Sequence, residues 1–266
     1  MPQSALITVI ARAVQKAGKG VVRDFGEIEK LQISRKGIAN FVTSADLRTD
    51  KVLIEELQKA RPKFSFLTEE SGVIKGPDLN TRFVIDPIDG TTNFIHAIPY
   101  ISISVAVQVK KDENWETIAG VVYDPIHDEL FHAEKGQGAF LNNLKLRTSM
   151  REEEIVLSTS SPRKWRSGYE TTLRAFERVI DHGATMRCSG SAALDLAYVA
   201  SGRLDGCWYH RLNIWDMAAG NLIVSEAGGK VTAIDGTPVA MDDRGPMLAT
   251  NGRIHSTLQD LLKPRD

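Results

Sequence analysis

Residues 83–94 read FVIDPIDGTTNF, and this stretch constrains the chain more than any other. Phe83, Val84 and Ile85 are aromatic and β-branched, the composition of a buried strand. Pro87 cannot donate to a sheet ladder and fixes its own φ, so the strand is expected to stop there and turn. Gly90 permits a positive φ that re-aims the backbone into a following helix, which the amides of Gly90, Thr91 and Thr92 would open as an anion site. Asp86 and Asp89 are then crowded together, and two carboxylates in so short a turn repel unless a cation or protons offset them. An Asx-rich turn accounts for one aspartate. A divalent metal accounts for both.

The rest of the chain supplies a scaffold for that turn. With 266 residues and 42% hydrophobic content it can bury a large core, as one domain or two packed halves. We read residues 1–266 as a single domain with a soft internal division near residue 150. Leu6, Ile7, Ile10, Ala13, Val14, Ala17 and Val21 recur at helical spacing, and SADLRTDKVLIEELQKARP reads as a second helix with Ser44 or Asp46 near its N-cap. KFSFLTEESG is a short strand ending in two acids, and ISISVAVQVK, TIAGVVYDP and ELFHAEKGQGAFLNN suggest an antiparallel meander. From Ser191 the pattern runs helix, strand, helix, and it closes with GPMLAT and a helical tail.

Charge and cysteine content exclude several classes. Lys and Arg number 33 against 34 Asp and Glu, a formal net charge of -1, so no basic field advertises nucleic acid or an anionic membrane. Two cysteines, Cys188 and Cys207, are too few for a disulfide framework and lack zinc spacing. No apolar run approaches a membrane span, which makes a soluble cytoplasmic protein the expectation.

Further acids stand at other strand and helix ends. Glu69 and Glu70 follow the apolar run FSFL as Asp86 follows FVI, so if those strands are neighbours the acids converge. Asp216, in NIWDMAAGNLIVSEAGG, is expected immediately before a helix that runs to about Ala227, and reads either as its N-cap or as a further ligand. All are hard oxygen donors, and no histidine falls in a paired metal spacing, which favours Mg²⁺ or Mn²⁺ over zinc. Such sites serve phosphate chemistry. A nucleotide-triphosphate reading lacks a G-x-x-x-x-G-K-[ST] loop.

LTEESG, VIDPIDGTTNF and WDMAAG, in this order and spacing, resemble the signature motifs of the inositol monophosphatase family, and GSAALDLAYVASGRLDG resembles its bacterial branch. The resemblance spans nearly the whole chain. It implies an α+β layered αβαβα sandwich of the metal-dependent sugar phosphatase type, about two or three Mg²⁺ ions per site, lithium sensitivity and a homodimer. Carried over by position, it implies that Asp86 bridges two metals, that Glu69 and the carbonyl of Ile88 complete the first, and that Asp89 and Asp216 hold the second. Asp46 would pair with Thr91 to orient and deprotonate the attacking water, and Glu70 would orient Glu69. Gly190, Ser191 and Ala192 fall where the family's helix N-terminus meets substrate hydroxyls.

Two positions depart from the family pattern. Tyr209 stands where inositol-hydrolysing members carry a glutamate, with His210 as the other possible hydrogen-bond partner. Arg35, with Lys36 beside it, stands at a frequent lysine. The expected activity is a Mg²⁺-dependent phosphomonoesterase acting on inositol monophosphate or a related small polyol or sugar phosphate. Alternatives in the superfamily are fructose-bisphosphate, histidinol-phosphate and nucleotide-bisphosphate phosphatases. A non-enzymatic partnership with the transcription machinery is the other alternative.

Overall fold

The structure is a computed structural model that describes residues 4–27, 33–37, 40–162, 164, 169–241 and 244–263, with the side chains of 33–42 outside the description. The first half runs α1 (Ala5–Phe25), β1 (Ile33–Gly37), β2 (Asn40–Thr43), α2 (Ser44–Ala60), β3 (Phe64–Thr68), β4 (Gly72–Ile74), β5 (Asp78–Asp89) and α3 (Thr91–Ile95). A meander follows, β6 (Ser102–Lys111), β7 (Asn114–Asp124), β8 (Glu129–Glu134), β9 (Gly138–Leu141) and β10 (Leu144–Lys145). The remainder is β11 (Val156–Thr159), α4 (Tyr169–Asp181), β12 (Thr185–Arg187), α5 (Ala192–Ala200), β13 (Gly206–Asn213), α6 (Ile214–Glu226), β14 (Lys230–Thr232), β15 (Arg244–Thr250) and α7 (His255–Leu262).

Two large sheets organise these elements. One has eight strands in the order β10-β9-β8-β7-β6-β5-β3-β4, and the other five in the order β12-β11-β13-β15-β14. The expected antiparallel meander is β6 to β9. Helices α1 and α2 cover one face of the first sheet, where Ile10, Val14, Leu53 and Leu57 meet Phe66, Phe83 and Ile85. On its other face Val84, Ala106, Val122 and Phe131 share a core with Leu196 and Ala197 of α5, Met217 and Ala218 of α6, and Cys207 and Met247 of the second sheet. Beyond that sheet α4 and α7 bury Leu157, Trp208 and Leu248 against Val179 and Leu258. The result is the layered αβαβα sandwich. No helix among the described residues is long and apolar enough to cross a membrane.

Strand period explains why both faces are apolar. Along β5, Phe83 and Ile85 point to the α1/α2 side while Val84 points to α5 and α6, so a central strand needs a continuous apolar run rather than an alternating one. Both cysteines are free, Cys188 exposed and Cys207 buried.

Three local expectations are revised. The strand does not stop at Pro87; β5 continues to Asp89. Its parallel ladder with β3 ends at Thr68 and Ile85, and its register against β6 shifts between Asp86 and Asp89, so the missing N–H of Pro87 falls where no regular ladder bond is needed. The N-cap of α2 is Thr43, and Asp46 is the third helical residue, reaching back to the Thr43 backbone in a capping box. Likewise Asp216 lies inside the first turn of α6, capped by Asn213, rather than ahead of the helix.

Candidate active site

Parallel pairing of β3 and β5 brings their C-terminal ends together. The amide of Glu69 donates to the carbonyl of Ile85 at 3.1 Å, which sets Glu69 beside Asp86. Asp86 is 1% exposed, and its Oδ1 accepts from the Ile88 amide at 3.1 Å, closing the turn over the proline. Gly90 then takes φ 97° and starts α3, as its lack of a Cβ allows.

Asp89 leaves the same turn toward a different element. Its Oδ2 accepts from the Ser191 hydroxyl at 2.6 Å and from the Ala193 amide at 2.7 Å, at the N-cap and in the first turn of α5. Asp216 Oδ2 accepts from the Asn213 amide at 2.8 Å. One carboxylate oxygen from each of Asp86, Asp89 and Asp216 lies within 4.8 Å of the others. Residues 127 positions apart from Asp89 to Asp216 thus share one site, because α6 and β5 pack in the same layer boundary.

The electrostatics of this gathering are unfavourable without a cation. Burial pushes the Asp86 carboxyl well above the usual carboxylate range, and the charges of Glu69, Asp89, Asp216 and Asp46 push the same way. Asp216 is raised by burial and then by Asp89 and Glu69. Asp89 is pushed up to about 6 by burial, against the lowering bonds from Ser191 and Ala193. A hard divalent ion among these oxygens would turn mutual repulsion into attraction, and an all-oxygen donor set suits Mg²⁺ or Mn²⁺. The residues therefore fit such an ion.

Asp46 and Thr91 form the second part of the site. Asp46 is 2% exposed, and its Oδ2 is fixed by the Thr43 amide at 2.8 Å and the Thr43 hydroxyl at 2.5 Å. Its other oxygen faces Thr91, whose hydroxyl is 3.3 Å from Asp46 Oδ1 and 3.3 Å from the Ile88 carbonyl. Burial raises the Asp46 carboxyl to about 6 despite the Thr43 bonds, and the charge of Glu70 raises it further.

The loop before α5 closes the site from the second sheet. Gly190 has φ 96°, and a Cβ there would stand 2.8 Å from the Asn93 side-chain nitrogen. Asn93 donates that nitrogen to the carbonyls of Tyr100 and Ser189, each at 2.7 Å, which staples α3 to this loop. Ser191 is the N-cap of α5, accepting from the Leu194 amide at 3.3 Å while donating to Asp89. Its hydroxyl is thus committed within the protein. Ala192 is buried beside it, and Thr92 is exposed.

Tyr209 does not present its hydroxyl to the carboxylate cluster. It is 6% exposed and donates to Asp195, an acid that sequence reasoning passed over. The signal was available, since Asp195 is the one charged residue in the apolar helix AALDLAYVA. Asn93 and Thr43 were also passed over: the Asn93 contact to Ser189 leaves no local trace, whereas Thr43 and Asp46 stand at the capping-box spacing within FVTSAD. The side chains of Arg35 and Lys36 lie outside the described residues.

Fold and site together define a layered α+β protein of the sugar phosphatase type, with acids gathered where parallel strands end. The model of the inositol monophosphatase family matches residues 3–264, and the chain belongs to that family. It is 43% identical over 265 residues to the inositol-1-monophosphatase of Rhizobium meliloti strain 1021, covering 99% of this chain and 98% of that relative. It is also 40% identical over 233 residues to the Nus factor SuhB of Escherichia coli K12, covering 87% and 86% respectively. Among solved structures, the extragenic suppressor protein suhB of Bartonella henselae superposes with a TM-score of 0.93 at 45% identity, over 99% of this chain and 100% of that one.

Proposed function

We propose that the protein is a Mg²⁺-dependent phosphomonoesterase that hydrolyses inositol monophosphate or a related small polyol or sugar phosphate. The observation that carries this reading is the convergence of Asp86, Asp89 and Asp216 within 4.8 Å beside the Asp46–Thr91 pair. Glu69, Asp86, the Ile88 carbonyl, Asp89 and Asp216 would hold the metal. Once bound, Mg²⁺ would neutralise phosphoryl oxygens, lower the pKa of water and stabilise the leaving oxygen.

The chain's own residues do the rest. Thr91 donates its proton toward Asp46, which leaves the threonine oxygen as an acceptor for the attacking water. As the water's proton passes to the Thr91 oxygen, the Thr91 proton passes to Asp46, whose buried carboxylate is the final acceptor. Fixing of Asp46 Oδ2 by Thr43 keeps Oδ1 directed at Thr91, so the pair is pre-oriented. The amides of Gly90, Thr91 and Thr92 are assigned the phosphate, and Gly190 and Ala192 the substrate hydroxyls. Ser191, assigned by position to the substrate hydroxyls as well, commits its hydroxyl to Asp89 and so supports the metal-holding carboxylate instead.

A phosphate-release screen over some twenty phosphomonoesters, with and without Mg²⁺, tests this reading. Turnover of inositol 1-phosphate that requires Mg²⁺ is expected, and activity persisting in excess chelator would refute the metal assignment. A preference for fructose bisphosphate, histidinol phosphate or a nucleotide bisphosphate would keep the mechanism and move the substrate. A second reading rests on the relatives named Nus factor SuhB: a role beside the transcription machinery. Recovery of transcription proteins by an Asp216→Asn variant in a lysate pull-down at low and high salt would favour it.

A further inference from the structure

Asp195 is a fully buried acid that the proposed chemistry leaves unused. It lies in the first turn of α5, where every other residue from Ala192 to Ala200 is apolar or Tyr198. Its Oδ1 accepts from the Tyr100 hydroxyl at 2.6 Å, and its Oδ2 accepts from the Ser158 hydroxyl at 2.6 Å and from the Tyr209 hydroxyl. Those donors come from three places: the segment ahead of β6, strand β11 and strand β13. Packing alone asks only for an apolar residue here, and a buried carboxylate is costly without such partners.

The same helical turn holds Asp89. Ser191 and Ala193, two to four residues before Asp195, supply both hydrogen bonds to Asp89 Oδ2. The backbone of Tyr100 meanwhile accepts from Asn93, which also grips the Ser189 carbonyl. Asp195 and both donors to Asp89 Oδ2 thus sit on the same end of α5. We propose that Asp195, clamped by Tyr100, Ser158 and Tyr209, is a positioning residue that sets the orientation of Asp89 and thereby the affinity of the carboxylate cluster for a divalent cation. Tyr209 on this account serves the cation site from behind rather than the substrate. The inference rests on reading that cluster as a cation site.

The test is Mn²⁺ binding by calorimetry to the full chain and three variants. Tyr209→Phe and Ser158→Ala each remove one donor to Asp195. Thr159→Ala is the matched control: its buried hydroxyl lies on the same strand as Ser158 but donates at 2.6 Å to the Trp208 carbonyl. Loss of a group bonded directly to a metal ligand typically weakens metal affinity by about 10–100-fold. Ser158 and Tyr209 act one step further out, so the lower end of that range is the expected effect. The Mn²⁺ Kd is expected to rise about tenfold in Tyr209→Phe and Ser158→Ala and to stay at the wild-type value in Thr159→Ala, even where all three melt lower. The Mg²⁺ concentration for half-maximal phosphate release should rise in step, with KM for substrate at saturating Mg²⁺ unmoved. Wild-type Kd in both Asp195-linked variants overturns the inference, as does an equal rise in the control. A wild-type protein that takes up no Mn²⁺ overturns the cation reading itself, which is a separate result.

Discussion

Replacing Asp46 by asparagine in the cation-free protein isolates the cost of its buried charge. Burial raises this carboxyl from 3.8 to about 6, so the folded state binds the proton more tightly than the unfolded chain does. A raised folded value contributes stability below the unfolded pKa and loses it as pH rises toward the folded one. Of that contribution, about 2 kcal/mol remains at pH 4.5 and almost none at pH 7.5. Asparagine cannot ionise, and its amide oxygen still accepts the Thr43 amide bond, so the variant lacks this pH dependence. The comparison must be a difference, because His255, held down to about 4 by burial, loses stability as pH falls and slopes the opposite way. With chelator present, the melting temperature of Asp46→Asn relative to wild type should be higher at pH 7.5 than at pH 4.5 by about 4–8 °C, given roughly 2–4 °C per kcal/mol in a chain of this size. Scanning calorimetry at the two pH values reads this directly. Mg²⁺ should shrink the difference, since a nearby cation favours the ionised acid. Equal offsets at both pH values would refute the argument that Asp46 is an uncompensated buried charge.

Three further outcomes are expected. Asp216→Asn retains the capping box through its amide oxygen but is a poor ligand, so kcat for phosphate release should fall by about a hundredfold or more while the melting point moves by a few degrees. A change in melting point alone would make Asp216 only a cap. Thr91→Val should lower kcat by about a hundredfold and Thr91→Ser should restore most of it, read as initial rates at saturating Mg²⁺. Tyr209→Glu would set a second carboxylate against buried Asp195, so it should cost about 3 kcal/mol or more in urea unfolding at pH 8, rather than improve inositol selectivity.

Local chemistry made much of this protein legible in its sequence. The apolar spacing of Ile7, Ile10, Val14 and Val21 is enough for an amphipathic helix, and the β-branched runs from Ser102 to Glu134 are enough for a meander, because each period depends on backbone geometry alone. Crowding of Asp86 and Asp89 around a proline pointed to a cation, since like charges at short range need one whatever the fold. The motifs around Glu69, Asp86 and Asp216 carried the family. Only the tertiary structure decided how those pieces meet. Pro87 proved compatible with a continuing strand because its neighbour β3 ends at Thr68, a fact about another segment. Asp216 joined Asp86 and Asp89 because α6 is packed between the sheets, and long-range packing leaves no local trace. Tyr209 changed from a candidate substrate contact to a partner of Asp195 because the direction of its phenol is set by α5 across the layer. A side chain's residue type limits what it can bond, but its partner is chosen by whichever donor or acceptor the fold buries beside it.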